Sequence, residues 1–76
     1  MAQLLSPLPG TFYRRPAPDK PVYKNDGDKV AKGDVVGLIE VMKSFTEVKA
    51  DAAGRIKFIA ENEEPVMAGQ PLADIG

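Results

Sequence analysis

One lysine stands out by its setting. In Ile39-Glu40-Val41-Met42-Lys43-Ser44-Phe45-Thr46-Glu47-Val48, strand character runs up to Met42 and resumes after Lys43, so the chain is expected to reverse at that pair. A lysine at the tip of a tight turn holds its amine in solvent, where it is accessible to a modifying enzyme and the side chain can swing. Exposure alone does not mark it, because most surface lysines only carry solubilising charge. Local turn rules would not find the reversal either, since they look for Asn-Gly or another glycine-containing pair. Phe45 falls on the alternation face of Lys43, with Thr46 and Val48 opposite. It is expected either beside the lysine as a recognition contact or, after a local twist, in the core.

The rest of the chain offers little chemistry of its own. There is no Cys and no His, which removes thiolate–zinc sites and the Ser–His and Cys–His nucleophilic pairs. No acidic run has the spacing of a calcium loop. No catalytic residue and no metal site are expected, and the chain reads as a non-catalytic partner of something else. Ten basic residues against eleven acidic ones give a net charge of −1. Arg14 and Arg15 are soon followed by Asp19, and no basic stripe recurs for a phosphate backbone to follow, so nucleic acid is not expected. No apolar run approaches the roughly 20 residues of a membrane span. The start, Met1-Ala2-Gln3-Leu4-Leu5, lacks the charged and apolar regions of a signal peptide. A cysteine-free chain of this kind is expected in the cytoplasm.

The elements that must hold Lys43 are short. Seven Gly and seven Pro punctuate 76 residues, too densely for ordinary helices. Between them lie β-branched and aromatic stretches: Thr11 to Tyr13, Val35 to Val41, Phe45 to Val48, Ile56 to Ile59 and Leu72 to Ile75. These are expected strands of an all-β chain forming one domain over 1–76. A helix through Met67-Ala68 would be broken by Gly69 and Pro71.

A repeat organises these strands. Val30, Gly33, Val36 and Ile39 recur as Val66, Gly69, Leu72 and Ile75 at a constant offset of 36, while Gly10-Thr11-Phe12-Tyr13 resembles Gly54-Arg55-Ile56-Lys57 at an offset of 44. Two similar β units can pack face to face around one core, with Val30, Val36, Ile39, Val66, Leu72 and Ile75 buried and the halves split near Met42-Lys43. The first half carries eight extra residues, in or near Arg15-Pro16-Ala17-Pro18-Asp19-Lys20-Pro21. Three prolines there restrict the backbone and remove amide donors, so the segment, about 15–22, is expected to protrude as a stiff loop and not to form a central strand.

Glu40-Val41-Met42-Lys43 at the midpoint of a duplicated β unit resembles the attachment motif of biotinyl domains, in which biotin is carried on the lysine. The resemblance extends through Ser6-Pro7-Leu8-Pro9-Gly10-Thr11-Phe12-Tyr13-Arg14 and Pro16-Ala17-Pro18-Asp19. These stretches are similar to the opening strand and protruding "thumb" of the biotin carboxyl carrier subunits of bacterial acetyl-CoA carboxylases. The resemblance implies a flattened barrel or sandwich of two four-stranded antiparallel sheets with quasi-twofold symmetry. It implies a biotin hairpin over about 40–46, with Glu40, Val41, Met42 and Ser44 around biotinyl-Lys43, and a thumb of Arg15, Pro16, Ala17, Pro18, Asp19 and Lys20. It also implies three partners: a biotin protein ligase that acylates Lys43, a biotin carboxylase that loads the ureido ring, and a carboxyltransferase that unloads it. Such a carrier needs a flexible arm on a rigid platform, and tethering keeps the cofactor concentrated near both sites. The thumb is then expected to reach toward the hairpin and touch the biotin ring.

The motif departs from the usual form at two positions. Val41 stands where Ala or Ser is common, and Ser44 where a second Met often follows the lysine. The long docking region and Ala/Pro-rich linker of bacterial subunits have no counterpart before Met1, which leaves open a short free-standing carrier or a trimmed chain, and leaves the acceptor substrate open. Two alternatives remain. A lipoyl domain shares the fold but usually carries an Asp-Lys-Ala turn and no thumb, and an unmodified β-barrel interaction module would carry no group at all.

Overall fold

Alternating apolar residues, interrupted by glycine or proline every few positions, fold into eight short strands in the computed structural model, which describes residues 2–76. They are β1 (Ala2–Leu5), β2 (Gly10–Tyr13), β3 (Lys29–Val30), β4 (Val35–Val41), β5 (Ser44–Lys49), β6 (Gly54–Phe58), β7 (Glu64–Val66) and β8 (Pro71–Ile75). One four-stranded sheet has the order β1-β8-β6-β3 and the other β5-β4-β2-β7. Every neighbouring pair is antiparallel. All five expected strands are present, Val35–Val41 with the expected ends and the others with ends displaced by no more than two residues; Ile59 lies just past β6 and is exposed. The very short β3 and β7, and β1 at the start, have too little alternation to show in the sequence. No described residue is helical, Met67-Ala68 included.

All six residues expected in the core are buried, and Val36, Ile39 and Leu72 are wholly inaccessible. They pack with Leu4, Phe12, Val48 and Ile56 between the sheets. A bulge between Val35 and Gly37 turns Val36 inward beside the Gly37 backbone. Gly37 must stay bare. A Cβ there would lie 2.5 Å from Cε1 of Phe12 and 2.7 Å from the Tyr13 carbonyl oxygen.

The repeat holds down to single hydrogen bonds. Gly27 N–H donates to the Ile56 carbonyl at 2.7 Å, and Glu63 N–H, 36 residues on, donates to Phe12, 44 residues before Ile56, also at 2.7 Å. Phe58 N–H is capped by Asp26 Oδ1 and Arg14 N–H by Asn62 Oδ1, both at 2.8 Å. Ala31 N–H is capped by Asp34 and Met67 N–H by Gln70, at 2.8 and 3.0 Å. Exchanging the halves therefore maps one sheet onto the other, which is the quasi-twofold arrangement the two offsets predict. Between Arg14 and Asn25 the first half has ten residues where the second, between Phe58 and Glu61, has two. The eight extra residues therefore fall within Arg15 to Lys24, the stretch that includes the expected loop.

Candidate functional site

The β4–β5 ladder pairs Val35 through Val41 with Lys49 through Ser44 and leaves Met42 and Lys43 as a two-residue turn. Both adopt left-handed backbone, with φ of 48° and 66°. Positive φ at both central positions is the geometry that lets a hairpin follow the twist of its strands, and it normally selects Asn-Gly. Each of these side chains therefore tolerates roughly 1–2 kcal/mol of backbone strain, held in place by the ladder behind it. The glycine-free reversal expected at this pair is thus real, and the fold alone gives no reason for its residue types. Lys43 is exposed and makes no ion pair among the described residues. Met42 is 93% exposed, Ser44 is exposed, and Val41 packs against the core.

Cross-strand register brings a second group to the outer face of this sheet. Tyr13 pairs with Leu38 and Thr11 with Glu40, while Glu40 pairs with Phe45. The Tyr13 hydroxyl donates to Glu40 Oε1 at 3.0 Å, and the Tyr13 and Phe45 rings lie 6.5 Å apart at 53°. That hydrogen bond, with lesser contributions from burial and the charges of Glu40 and Glu63, raises the Tyr13 pKa above its ordinary value. Phe45, 60% exposed, belongs to this surface and not to the core.

The insertion covers that face. Its base is closed by Tyr23 N–H donating to the Arg14 carbonyl at 2.9 Å, and Lys20 N–H donating to Ala17 tightens its turn at 3.0 Å. Arg14 anchors it, with its guanidinium carbon 4.0 Å from the centre of the Phe58 ring and one nitrogen donating to the Lys24 carbonyl at 3.3 Å. Arg15, Pro16, Ala17 and Pro18 wall a cleft of about 270 Å³ whose other lining residues are Tyr13, Leu38, Phe45, Asn62 and Glu63. Asp19 and Lys20 are exposed and do not line it. The structure thus unites part of the thumb with Phe45, two residues from Lys43.

Sequence reasoning had not singled out Leu38, Asn62 or Glu63, nor given Tyr13 a part in a site. The repeat held a signal for two of them. Under the two offsets Tyr13 matches Lys57 and Leu38 matches Asp74, and Lys57 and Asp74 pair on the other sheet just as Tyr13 and Leu38 do here. One outer face is charged where its mate is apolar, although the fold treats them alike. Glu63 breaks the symmetry in another way. It holds φ 67° where its mate is Gly27 at φ 90°. Among the described residues no cluster of three or more His, Cys, Asp or Glu could hold a metal ion.

Comparison with known proteins agrees with this geometry. A family profile described as "Biotin-requiring enzyme", of biotin and lipoyl domains, matches residues 2–75. The chain is 43% identical over 76 residues to a biotin carboxyl carrier protein of acetyl-CoA carboxylase from Nostoc sp., covering 99% of the chain and 42% of that protein. It is 49% identical over 70 residues to the chloroplastic counterpart from Glycine max, covering 91% and 27%. To the Pseudomonas aeruginosa protein of the same name it is 39% identical over 71 residues, covering 92% and 46%. The chain spans less than half the length of these curated relatives. A glycine-free hairpin presenting a lysine between the halves of a duplicated two-sheet barrel, and a match along almost the whole chain, lead to one conclusion: this chain belongs to the biotin/lipoyl attachment family.

Proposed function

We propose that Lys43 is the attachment site for biotin and that the chain, a single domain over 1–76, is a non-catalytic biotin carboxyl carrier of an acyl-CoA carboxylase. The observation that carries this reading is the two-residue turn. Met42 and Lys43 hold left-handed backbone that glycine would hold at lower cost, so their side chains are kept for a partner and not for the fold. When attached, biotin supplies a ureido nitrogen that accepts a carboxyl group at one active site and gives it up at another. The chain's own residues present and restrain the arm. The β4–β5 ladder holds the Lys43 Cα at the tip, and Glu40, Val41 and Ser44 fix the turn from both strands. The cleft between Arg15–Pro18 and the Tyr13, Leu38 and Phe45 side chains fits a small, largely apolar ring close to the lysine, with Arg15 as a polar group in its wall. Acylation converts the Lys43 ammonium to a neutral amide, taking the net charge from −1 to −2.

Three partners follow: a biotin protein ligase, a biotin carboxylase and a carboxyltransferase, with the cytoplasm as the expected location. Thumb, apolar cleft and Met42 favour this over a lipoyl domain. Co-expression with a biotin ligase or a lipoyl ligase, followed by peptide mapping by mass spectrometry, tests it. A biotin adduct on Lys43 that is absent in a folded Lys43→Arg variant supports the reading, because the guanidinium keeps the charge but replaces the acylatable amine. A lipoyl adduct, or biotin on Lys49 or Lys57, overturns it. Deleting Arg15 to Pro21 should leave the barrel folded while loosening the attached biotin, which NMR of the biotin ring would show.

A further inference from the structure

Arg14 and Arg15 are adjacent in the chain, and the fold sends their side chains to different places. Arg15 walls the cleft, whereas Arg14 does not line it. The Arg14 guanidinium carbon instead lies 4.0 Å from the centre of the Phe58 ring, which sits 6.3 Å from the ring of the buried Phe12. Arg14 and Phe58 are mates at the offset of 44. Their backbone N–H groups are capped alike, by Asn62 and Asp26, both at 2.8 Å. The shared backbone therefore does not dictate an arginine at one of these positions and a phenylalanine at the other.

What the arginine reaches is the insertion. Tyr23 N–H donates to the Arg14 carbonyl at 2.9 Å, and a terminal nitrogen of Arg14 donates to the Lys24 carbonyl at 3.3 Å. One residue at the upstream end thus holds the downstream end by backbone and by side chain, and ties both to the core through Phe58. Among the described residues, no hydrogen bond or ion pair ties residues 15–22 to the barrel; Lys20 N–H bonds within the loop, to Ala17. The other polar tie at the base is the partly exposed ion pair of Lys24 with Asp34, at 3.7 Å. Arg14 Nε is buried without a hydrogen-bond partner, so the ring face beneath must compensate for its lost water. A guanidinium can lie flat on a ring and donate from its edge at the same time. A lysine ammonium, a compact point charge, serves one contact or the other.

Resting on the assignment of the cleft to the ring carried by Lys43, we propose that Arg14 is the positioning residue that sets the stance of the thumb. It acts from outside the cleft and does not touch the carried group. Three prolines stiffen the insertion, and its polar ties lie at its base, so it moves as one arm. The clamp at that base decides how closely Arg15, Pro16, Ala17 and Pro18 stand over Tyr13, Leu38 and Phe45. Loosening it frees the carried ring without unfolding the barrel.

Amide hydrogen exchange of the unmodified chain, followed by NMR, tests the clamp, and the ring signals of the biotinylated chain test its consequence. The Tyr23 amide should exchange about fivefold faster than wild type in Arg14→Lys and about twentyfold faster in Arg14→Met. The amides of Gly33 and Gly69, each bonded at 2.8 Å elsewhere in the barrel, should change less than about twofold. Lys24→Gln removes the ion pair but keeps the Lys24 carbonyl, and should also stay within about twofold. Phe58→Leu should speed Tyr23 exchange in the wild-type background and add little in Arg14→Met. In the biotinylated chains, the ring signals should move toward those of free biotinyl-lysine in the same order. Unchanged Tyr23 exchange in Arg14→Met, or Gly33 and Gly69 accelerating along with it, would overturn the clamp. A loosened thumb with unmoved ring signals would overturn its control of the carried ring. Wild-type ring signals that already match free biotinyl-lysine would remove the cleft reading itself, and the exchange rates of the unmodified chain would still decide the clamp.

Discussion

Replacing Lys43 by glycine should make the unmodified protein more stable while destroying its acceptor. Lys43 holds φ 66° in a turn that a side chain occupies only under strain. A left-handed L-residue costs roughly 1–2 kcal/mol, which glycine would relieve. Against this, the greater freedom of glycine in the unfolded chain returns roughly 0.5–1 kcal/mol. No packing is lost, because Lys43 is exposed and makes no ion pair among the described residues. The expected net gain is about 0.5–1 kcal/mol, or roughly 2–8 °C in Tm for a domain of this size. Lys43→Ala also removes the charge and the side chain but keeps the Cβ, and with it the strain, so it should stay within about 0.5 kcal/mol of wild type. Thermal and urea melts of the three unmodified proteins at neutral pH decide the matter. If Lys43→Gly is no more stable than Lys43→Ala, the tip is not strained, and the claim that its residue types are retained for a partner loses its energetic support.

Three further substitutions probe the frame. Glu63→Gly installs the residue of its mate Gly27 at a backbone φ of 67° and should stabilise by about 0.5–1 kcal/mol in urea melts, by the same balance of strain against chain entropy. Gly37→Ala should destabilise by about 3 kcal/mol, because its Cβ would sit 2.5 Å from the buried Phe12 ring, and the urea midpoint reports it. Glu40→Gln should bring the tyrosinate midpoint of Tyr13 down toward 10.0, whereas that of Tyr23, raised mainly by burial, stays put; ultraviolet titration separates them. A phenol with a raised folded pKa contributes stability that is whole below its unfolded pKa and is lost as pH rises through the folded value. On the tyrosine's titration, wild type should therefore lose its advantage over Glu40→Gln in alkali, above about pH 10.

The sequence by itself determined the β class, the repeat, the core and the place of the turn. Each rests on a pattern written along the chain: alternation for the strands, two constant offsets for the duplication, and a lysine where strand character breaks. Core residues such as Val36 and Leu72 were legible because they recur at the constant offset of 36; alternation alone would put Val36 and Ile39, three apart, on opposite faces, and the bulge between Val35 and Gly37 brings both inward. Tertiary structure decided the rest. The left-handed backbone at Met42 and Lys43 is imposed by the ladder behind it, in a turn that local residue preferences would not choose. Phe45 lies on the outer face because its cross-strand partner is Glu40, a register that the alternation of β5 alone could not fix. The cleft assembles Arg15, Leu38, Phe45 and Glu63 from four separate stretches of chain, brought together only when β2 pairs with β4 and β7 and the insertion folds over them. Residues that share a face across strands are distant in sequence, and their meeting is a property of the pairing alone.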